Sequence, residues 1–93
     1  MKEQQYIKKP IQITAVPIGT IIDGTCDFPW VQELVSSGNI STDSGGVTVL
    51  VQTLEGPMQG TMDDYLIRGV RGEVYICRKD IFEETYEPVK EHS

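Results

Sequence analysis

From Ile11 onward the chain alternates with a period of two: Ile11, Ile13, Ala15 and Pro17 stand against Gln12, Thr14, Val16 and Ile18. This spacing, rich in β-branched residues, predicts a first strand. Pro17 has no ladder donor, so the strand ends there or lies at an edge. Gly24-Thr25 breaks the pattern, and the period then changes. Trp30 and Leu34, like Val31 and Val35, are four apart and share one side of a helix. The helix is predicted over Phe28–Ser37, with Asp27 as its cap, Pro29 in its first turn and Gly38 as its stop. A helix of about ten residues is marginal alone in water, so it must pack on a sheet, with Trp30 as the anchor.

Ser41–Gly46 reads as a polar loop. Val47–Leu54 predicts a second strand, Glu55-Gly56 a bend, and Pro57–Met62 a third strand that Pro57 and Gly60 confine to an edge or a bulge. Tyr65–Val70 and Glu73–Arg78 form the clearest hairpin. A four-residue loop over Val70–Glu73 sets Gly69 opposite Val74, Arg68 opposite Tyr75 and Ile67 opposite Ile76. One face then carries Ile67, Val74 and Ile76, and the other Leu66, Arg68, Tyr75 and Cys77. A three-residue loop with Gly72 left-handed slips this pairing by one and mixes the sets; the first register is preferred. Asp80 is expected to cap a short helical turn through Ile81, Phe82 and Glu83, and Thr85–Val89 to return as a last strand.

These elements predict an α+β fold: a strongly bent antiparallel sheet of about five strands, open or partly closed into a barrel, with one short helix over it. Residues 1–9 read as a flexible arm, 10–90 as one globular domain and 91–93 as a tail. The expected core is Ile13, Trp30, Leu34, Val49, Val51, Ile67, Val74, Ile76 and Phe82.

Charge adds a second pattern. The 93 residues carry a net charge of -6, and between Lys9 and Arg68 there is no Lys or Arg at all. Asp23, Asp27, Glu33, Asp43, Glu55, Asp63 and Asp64 all fall in that stretch. Binding to nucleic acid needs cations to displace counterions from phosphates, so direct nucleic-acid binding is not expected there. The two cysteines, Cys26 and Cys77, lie far apart with no CxxC or Cys/His cluster, which argues against a metal. The first residues lack the apolar core of a signal peptide, so a reducing cytoplasm with free thiols is expected. No apolar run reaches the roughly 20 residues that span a bilayer.

Reactive groups are few. His92, the only histidine, stands in the polar C-terminal tail, where catalytic geometry cannot be held. Cys77 adjoins Arg78 and Lys79, whose charge would favour a thiolate; the structural alternative is a packing position. Asp63-Asp64 does not make a proton-sharing dyad, because neighbours on a strand point apart, and reads instead as turn-forming. Gly56, Gly60, Gly69 and Gly72 lack the strand-to-helix context of a phosphate loop. No cofactor, metal or catalytic residue is expected, nor an enzyme. Two surfaces stand as candidates. Arg68, Arg71, Arg78 and Lys79 beside Tyr75 would form a cationic patch for a carboxylate or phosphate, unless they pair with Asp80, Glu83, Glu84 and Glu87. Asp23, Asp27, Glu33, Asp43 and Glu55 would form an acidic surface suited to a partner's basic groove, or serve solubility alone.

The segment Leu54–Val89 resembles a widespread family of small phage and prophage proteins of uncharacterised function. Its matching positions are Glu55-Gly56, Asp64, Ile67-Arg68-Gly69-Val70, Gly72-Glu73, Tyr75, Cys77, Asp80-Ile81-Phe82 and Thr85-Tyr86-Glu87. The chain departs where Met62-Asp63 replaces the family's Pro-Gly and where Ile76 replaces a Pro. The resemblance implies a virus-derived protein working in the cytoplasm of an infected or lysogenic cell, and implies no reaction. The leading expectation is a non-enzymatic accessory protein that binds a host or defence protein. The alternatives are a binder of a small anionic ligand or nucleotide, and a homodimeric structural module.

Overall fold

Pro17 closes the first strand and opens a helix that the β-branched sequence did not suggest. In the computed structural model, which describes residues 3–5, 11–43 and 45–89, β1 (Thr14–Pro17) runs directly into α1 (Ile18–Ile22). This single turn is fixed by burial of Ile18 and by two bonds. The Ile18 N–H donates to the Asp64 carbonyl at 2.9 Å, and the Thr20 hydroxyl to the Pro17 carbonyl at 2.8 Å. Most of the expected arm, together with the 91–93 tail and His92, lies outside the described residues.

The predicted helix is α2 (Pro29–Ser36). Asp27 does not cap it: Phe28 is the N-cap, with no side-chain cap bond. Pro29 is the cause, because the residue before a proline is pushed out of the helical region, and Phe28 is extended at φ -68°, ψ 129°. The stop is as expected. Gly38 is left-handed at φ 84°, its N–H reaches the Val35 carbonyl and the Asn39 N–H reaches that of Leu34. These two bonds are the Schellman closure, which satisfies carbonyls otherwise left open.

The expected single bent sheet is two three-stranded antiparallel sheets, with no closed barrel among the described residues. One sheet has the order β2-β3-β4, with β2 at Ile40–Thr42, β3 at Thr48–Thr53 and β4 at Gly56–Thr61. β2 occupies part of the stretch expected as loop, which shortens to residues 43–47; Ser44 lies outside the described residues. The second sheet has the order β1-β5-β6, with β5 at Tyr65–Arg68 and β6 at Val74–Cys77. β1 and β4 are edge strands, which accommodates Pro17 and Pro57.

The β5–β6 register is the one the sequence reading set aside. Arg68 faces Val74, Ile67 faces Tyr75, Leu66 faces Ile76 and Tyr65 faces Cys77. Gly72 stands at φ 83°, the Gly69 N–H bonds the Glu73 carbonyl, and the Gly72 N–H bonds that of Gly69. A turn followed by a left-handed glycine is the favoured three-residue hairpin, and Gly72 takes that position at no steric cost. Leu66, Arg68, Val74 and Ile76 therefore share one face, and Tyr65, Ile67, Tyr75 and Cys77 the other.

The first face packs on the β2–β4 sheet and the two short helices. Val16, Ile18, Cys26, Val31, Ile40, Val49, Val51 and Leu66 form one buried cluster, with Trp30, Leu34, Val74 and Ile76 partly buried against it. Of the expected core, Val49, Val51 and Ile67 are fully buried, while Ile13 and Phe82 are only half-buried. The sheets approach closely at Gly60: a Cβ there would lie 3.0 Å from Ile76 Cδ1.

The other face is covered by α3 (Lys79–Thr85), whose Phe82 ring stacks on Tyr65 with centroids 4.1 Å apart. Arg78, not Asp80, is the N-cap; the helix starts two residues earlier than expected, leaving Asp80 inside the first turn, where a carboxylate favours the helix dipole. Thr85–Val89 forms no strand: Thr85 ends α3, and the Tyr86 N–H still bonds the Phe82 carbonyl. Burying one large aliphatic side chain contributes roughly 1.5–3 kcal/mol, against about 0–1 kcal/mol for an exposed ion pair, so packing on both faces of the β1-β5-β6 sheet holds the fold.

Candidate functional site

Face alternation decides what the cationic candidates can do together. Arg68, last in β5, lies on the core side with its guanidinium carbon 4.7 Å from the Trp30 ring centroid. Tyr75 lies on the α3 side, its hydroxyl 3.3 Å from that of Tyr86. Arg71 sits at the exposed hairpin tip, where its backbone N–H donates to Glu73 Oε2 at 3.1 Å. Arg78 and the exposed Lys79 lie at the other end of β6, and Arg78 Nη2 is 3.3 Å from Asp80 Oδ2 in a largely exposed pair. The five residues expected as one patch are thus divided among two faces and two ends of the hairpin. Their expected pairing with acids is seen for Arg78 and Asp80, and for no other pair among the described residues.

Local chemistry around Tyr75 and Cys77 favours the protonated forms. Burial, then the hydrogen bond and negative charge of Tyr86, push the Tyr75 phenol up to about 12, with Cys77 and Glu73 adding in the same direction. The Cys77 thiol is also raised, first by burial and then by Asp64 and Asp80, which outweigh the adjoining cations. Cys77 is therefore a packed thiol with a weak contact to the Arg78 carbonyl, not an activated nucleophile. Asp64 Oδ2 accepts the Thr61 N–H at 2.9 Å and closes the turn into β5, the role expected for one of the Asp63-Asp64 pair. Among the described residues no group of three or more His, Cys, Asp or Glu side chains is placed to hold a metal. No helix there is long and apolar enough to cross a membrane.

The acidic stretch becomes a contiguous part of the molecule, since α1, α2 and the whole β2–β4 sheet are built from residues with no Lys or Arg. Its carboxylates have two kinds of role. Asp23 Oδ1 accepts from the Thr25 hydroxyl and N–H at 2.7 and 2.9 Å, and Asp43 Oδ1 accepts the Val47 and Thr48 N–H groups at 2.8 and 3.1 Å. These bonds hold both carboxyls below the usual range, that of Asp23 through Thr25 and that of Asp43 through Thr48 and then Val47. Asp27, Glu33, Glu55 and Asp63 are exposed, and their carboxylates bond to nothing among the described residues.

Beside them stand apolar side chains that the sequence reading did not single out. Phe28 is 51% exposed, Leu54 89% and Met62 63%, each next in sequence to one of these carboxylates. Alternation places Leu54 at the end of a strand; the tight β3–β4 turn instead projects it into solvent. The signal available in the sequence was its place directly before Glu55-Gly56.

A scan against protein-family models finds no match, and searches of curated proteins and of solved structures find no similar protein.

Proposed function

We propose that this chain is a non-enzymatic accessory protein that binds another protein through its cation-free half. The observation that carries the reading is the pairing of free carboxylates with exposed apolar side chains at Asp27-Phe28, Leu54-Glu55 and Met62-Asp63. Carboxylates speed encounter with a basic surface and discriminate against acidic ones, while desolvated apolar side chains supply the affinity. The family resemblance supports a phage or prophage origin, with a host or defence protein of the bacterial cytoplasm as the partner.

The experiment compares capture of proteins from bacterial lysate by the wild type, by Asp27→Asn/Glu33→Gln/Glu55→Gln/Asp63→Asn, and by a control carrying Glu83→Gln/Glu84→Gln on α3. A partner retained by wild type and control but lost by the fourfold variant supports the reading. Raising salt from about 0.1 M to about 1 M shortens the screening length from about 10 Å to about 3 Å and should release it. Equal retention by all three proteins, or repeated recovery of no partner, overturns it.

A further inference from the structure

Arg68 is half-buried, and among the described residues it has no carboxylate within ion-pair distance and its guanidinium makes no hydrogen bond. Its guanidinium carbon stands over the Trp30 ring, 4.7 Å from the centroid. Stacking uses the flat face of the guanidinium and leaves its edge, with five N–H donors in a fixed fork, open to solvent and without a protein partner among the described residues. It stands so in a chain with six more formal negative than positive charges.

Arg68 borders an open cavity of about 440 Å³, lined otherwise by Gln12, Ile13, Thr14, Gly69, Val70 and Gly72. Every other lining residue is neutral. Thr14 faces Arg68 directly across the β1–β5 ladder, so its side chain lies on the same side of the sheet. Gln12 and Thr14 bring an amide and a hydroxyl that bond to nothing among the described residues. Glu73, whose carboxylate lies against Gly69, is one register step from the Arg68–Val74 pair and therefore on the other face, where it accepts the Arg71 N–H.

We infer that this cavity binds an oxyanion, the phosphate or carboxylate of a small metabolite, on the edge of the Arg68 guanidinium, with Thr14 and Gln12 as neutral donors. Arginine's fork matches both groups in a bidentate geometry, and Trp30 holds the fork in plane before the ligand arrives. The cavity lining comes from residues 12–14, 68–70 and 72, outside α1, α2 and the β2–β4 sheet, and meets the acidic half at Trp30 of α2, whose neighbour Glu33 borders the adjoining cavity with Gly72.

Trp30 is the only tryptophan, so its fluorescence reports on the site directly. Titration with inorganic phosphate, adenosine monophosphate and citrate at low salt is expected to give a saturable change with at least one of them. Amide resonances of Gln12, Thr14 and Gly69 should shift in parallel. Saturation by the phosphates alone assigns a phosphorylated ligand, and by citrate alone a carboxylate; either supports the site. Arg68→Gln should weaken binding by about tenfold or more, Arg68→Lys by less, and Arg71→Gln hardly at all. Absence of saturation by all three probes at about 10 mM, or undiminished binding by the folded Arg68→Gln and Arg68→Lys variants, overturns the inference.

Discussion

Gly60→Ala probes the contact that turns two small sheets into one core. The added Cβ would stand 3.0 Å from Ile76 Cδ1 and 3.2 Å from its Cγ2, with Asp64 Oδ2 at an ordinary 3.5 Å. Carbon atoms settle at about 3.5–4.0 Å, so the Ile76 side chain must give by a few tenths of an ångström. Overpacking of this kind costs roughly 1–3 kcal/mol. Gly60 is not left-handed, so alanine also gains about 0.4–1 kcal/mol by restricting the unfolded chain. The net expectation is a loss of about 1 kcal/mol, a fall in Tm of about 4–8 °C for a domain of this size.

Ile76→Val then separates a packing effect from a general one. It deletes the Cδ1 atom nearest the new methyl, so its ordinary cost of about 0.5–1.5 kcal/mol should shrink by at least about 0.5 kcal/mol in the Gly60→Ala background. Urea unfolding followed by Trp30 fluorescence on the four proteins measures the coupling. An Ile76→Val cost that is the same in both backgrounds would refute the face-to-face contact.

Leu66→Ala should cost about 2–5 kcal/mol in the same assay, because Leu66 is fully buried between the sheets. Gly72→Ala should destabilise by about 1 kcal/mol and Gly72→Asn by less, since the hairpin needs φ 83° there. Tyr75 should ionise well above the ordinary phenol range in a phenolate absorbance titration. Its folded pKa of about 12 lies above the ordinary 10.0, so its contribution to stability is complete below pH 10.0 and is lost as pH rises through about 12. The lowered pKa of Asp43 acts in the opposite sense: its contribution is present above the ordinary 3.8 and disappears as acid protonates the folded form, which Asp43→Asn should remove from a pH–stability profile. Cys77 should alkylate more slowly than glutathione at pH 8, as a raised thiol pKa requires.

Much of the fold was legible where a residue's covalent chemistry restricts the backbone. Pro29 and Gly38 bracket α2, Pro17 and Pro57 fall on edge strands, and the strand β3 and the β5–β6 hairpin follow from alternation. What sequence reasoning missed depends on contacts made elsewhere. Ile18–Ile22, rich in β-branched isoleucine and threonine, follows the predicted strand with no element assigned to it, yet burial of Ile18 and the bond to Asp64 wind it into α1. β2 has polar Ser41 and Thr42 exposed and only Ile40 buried, so one buried residue carries a strand that looks like loop.

The hairpin register turned on a single glycine, and with it the candidate site. Arg68, Arg71, Tyr75 and Arg78 are close in sequence, but a one-residue slip sends Arg68 to Trp30 and Tyr75 to Tyr86, on opposite sides of the sheet. The acidic surface was visible as a run without cations; its apolar companions Phe28, Leu54 and Met62 were not, because exposure is a property of the turn and not of the residue.

The most direct test of the proposed function is amide hydrogen exchange of this chain with and without the captured partner. Slowed exchange is predicted around Asp27-Phe28, Leu54-Glu55 and Met62-Asp63, with α3 unchanged. Protection confined to α3 and the Arg78–Lys79 end of β6, with the acidic half unaffected, would contradict it.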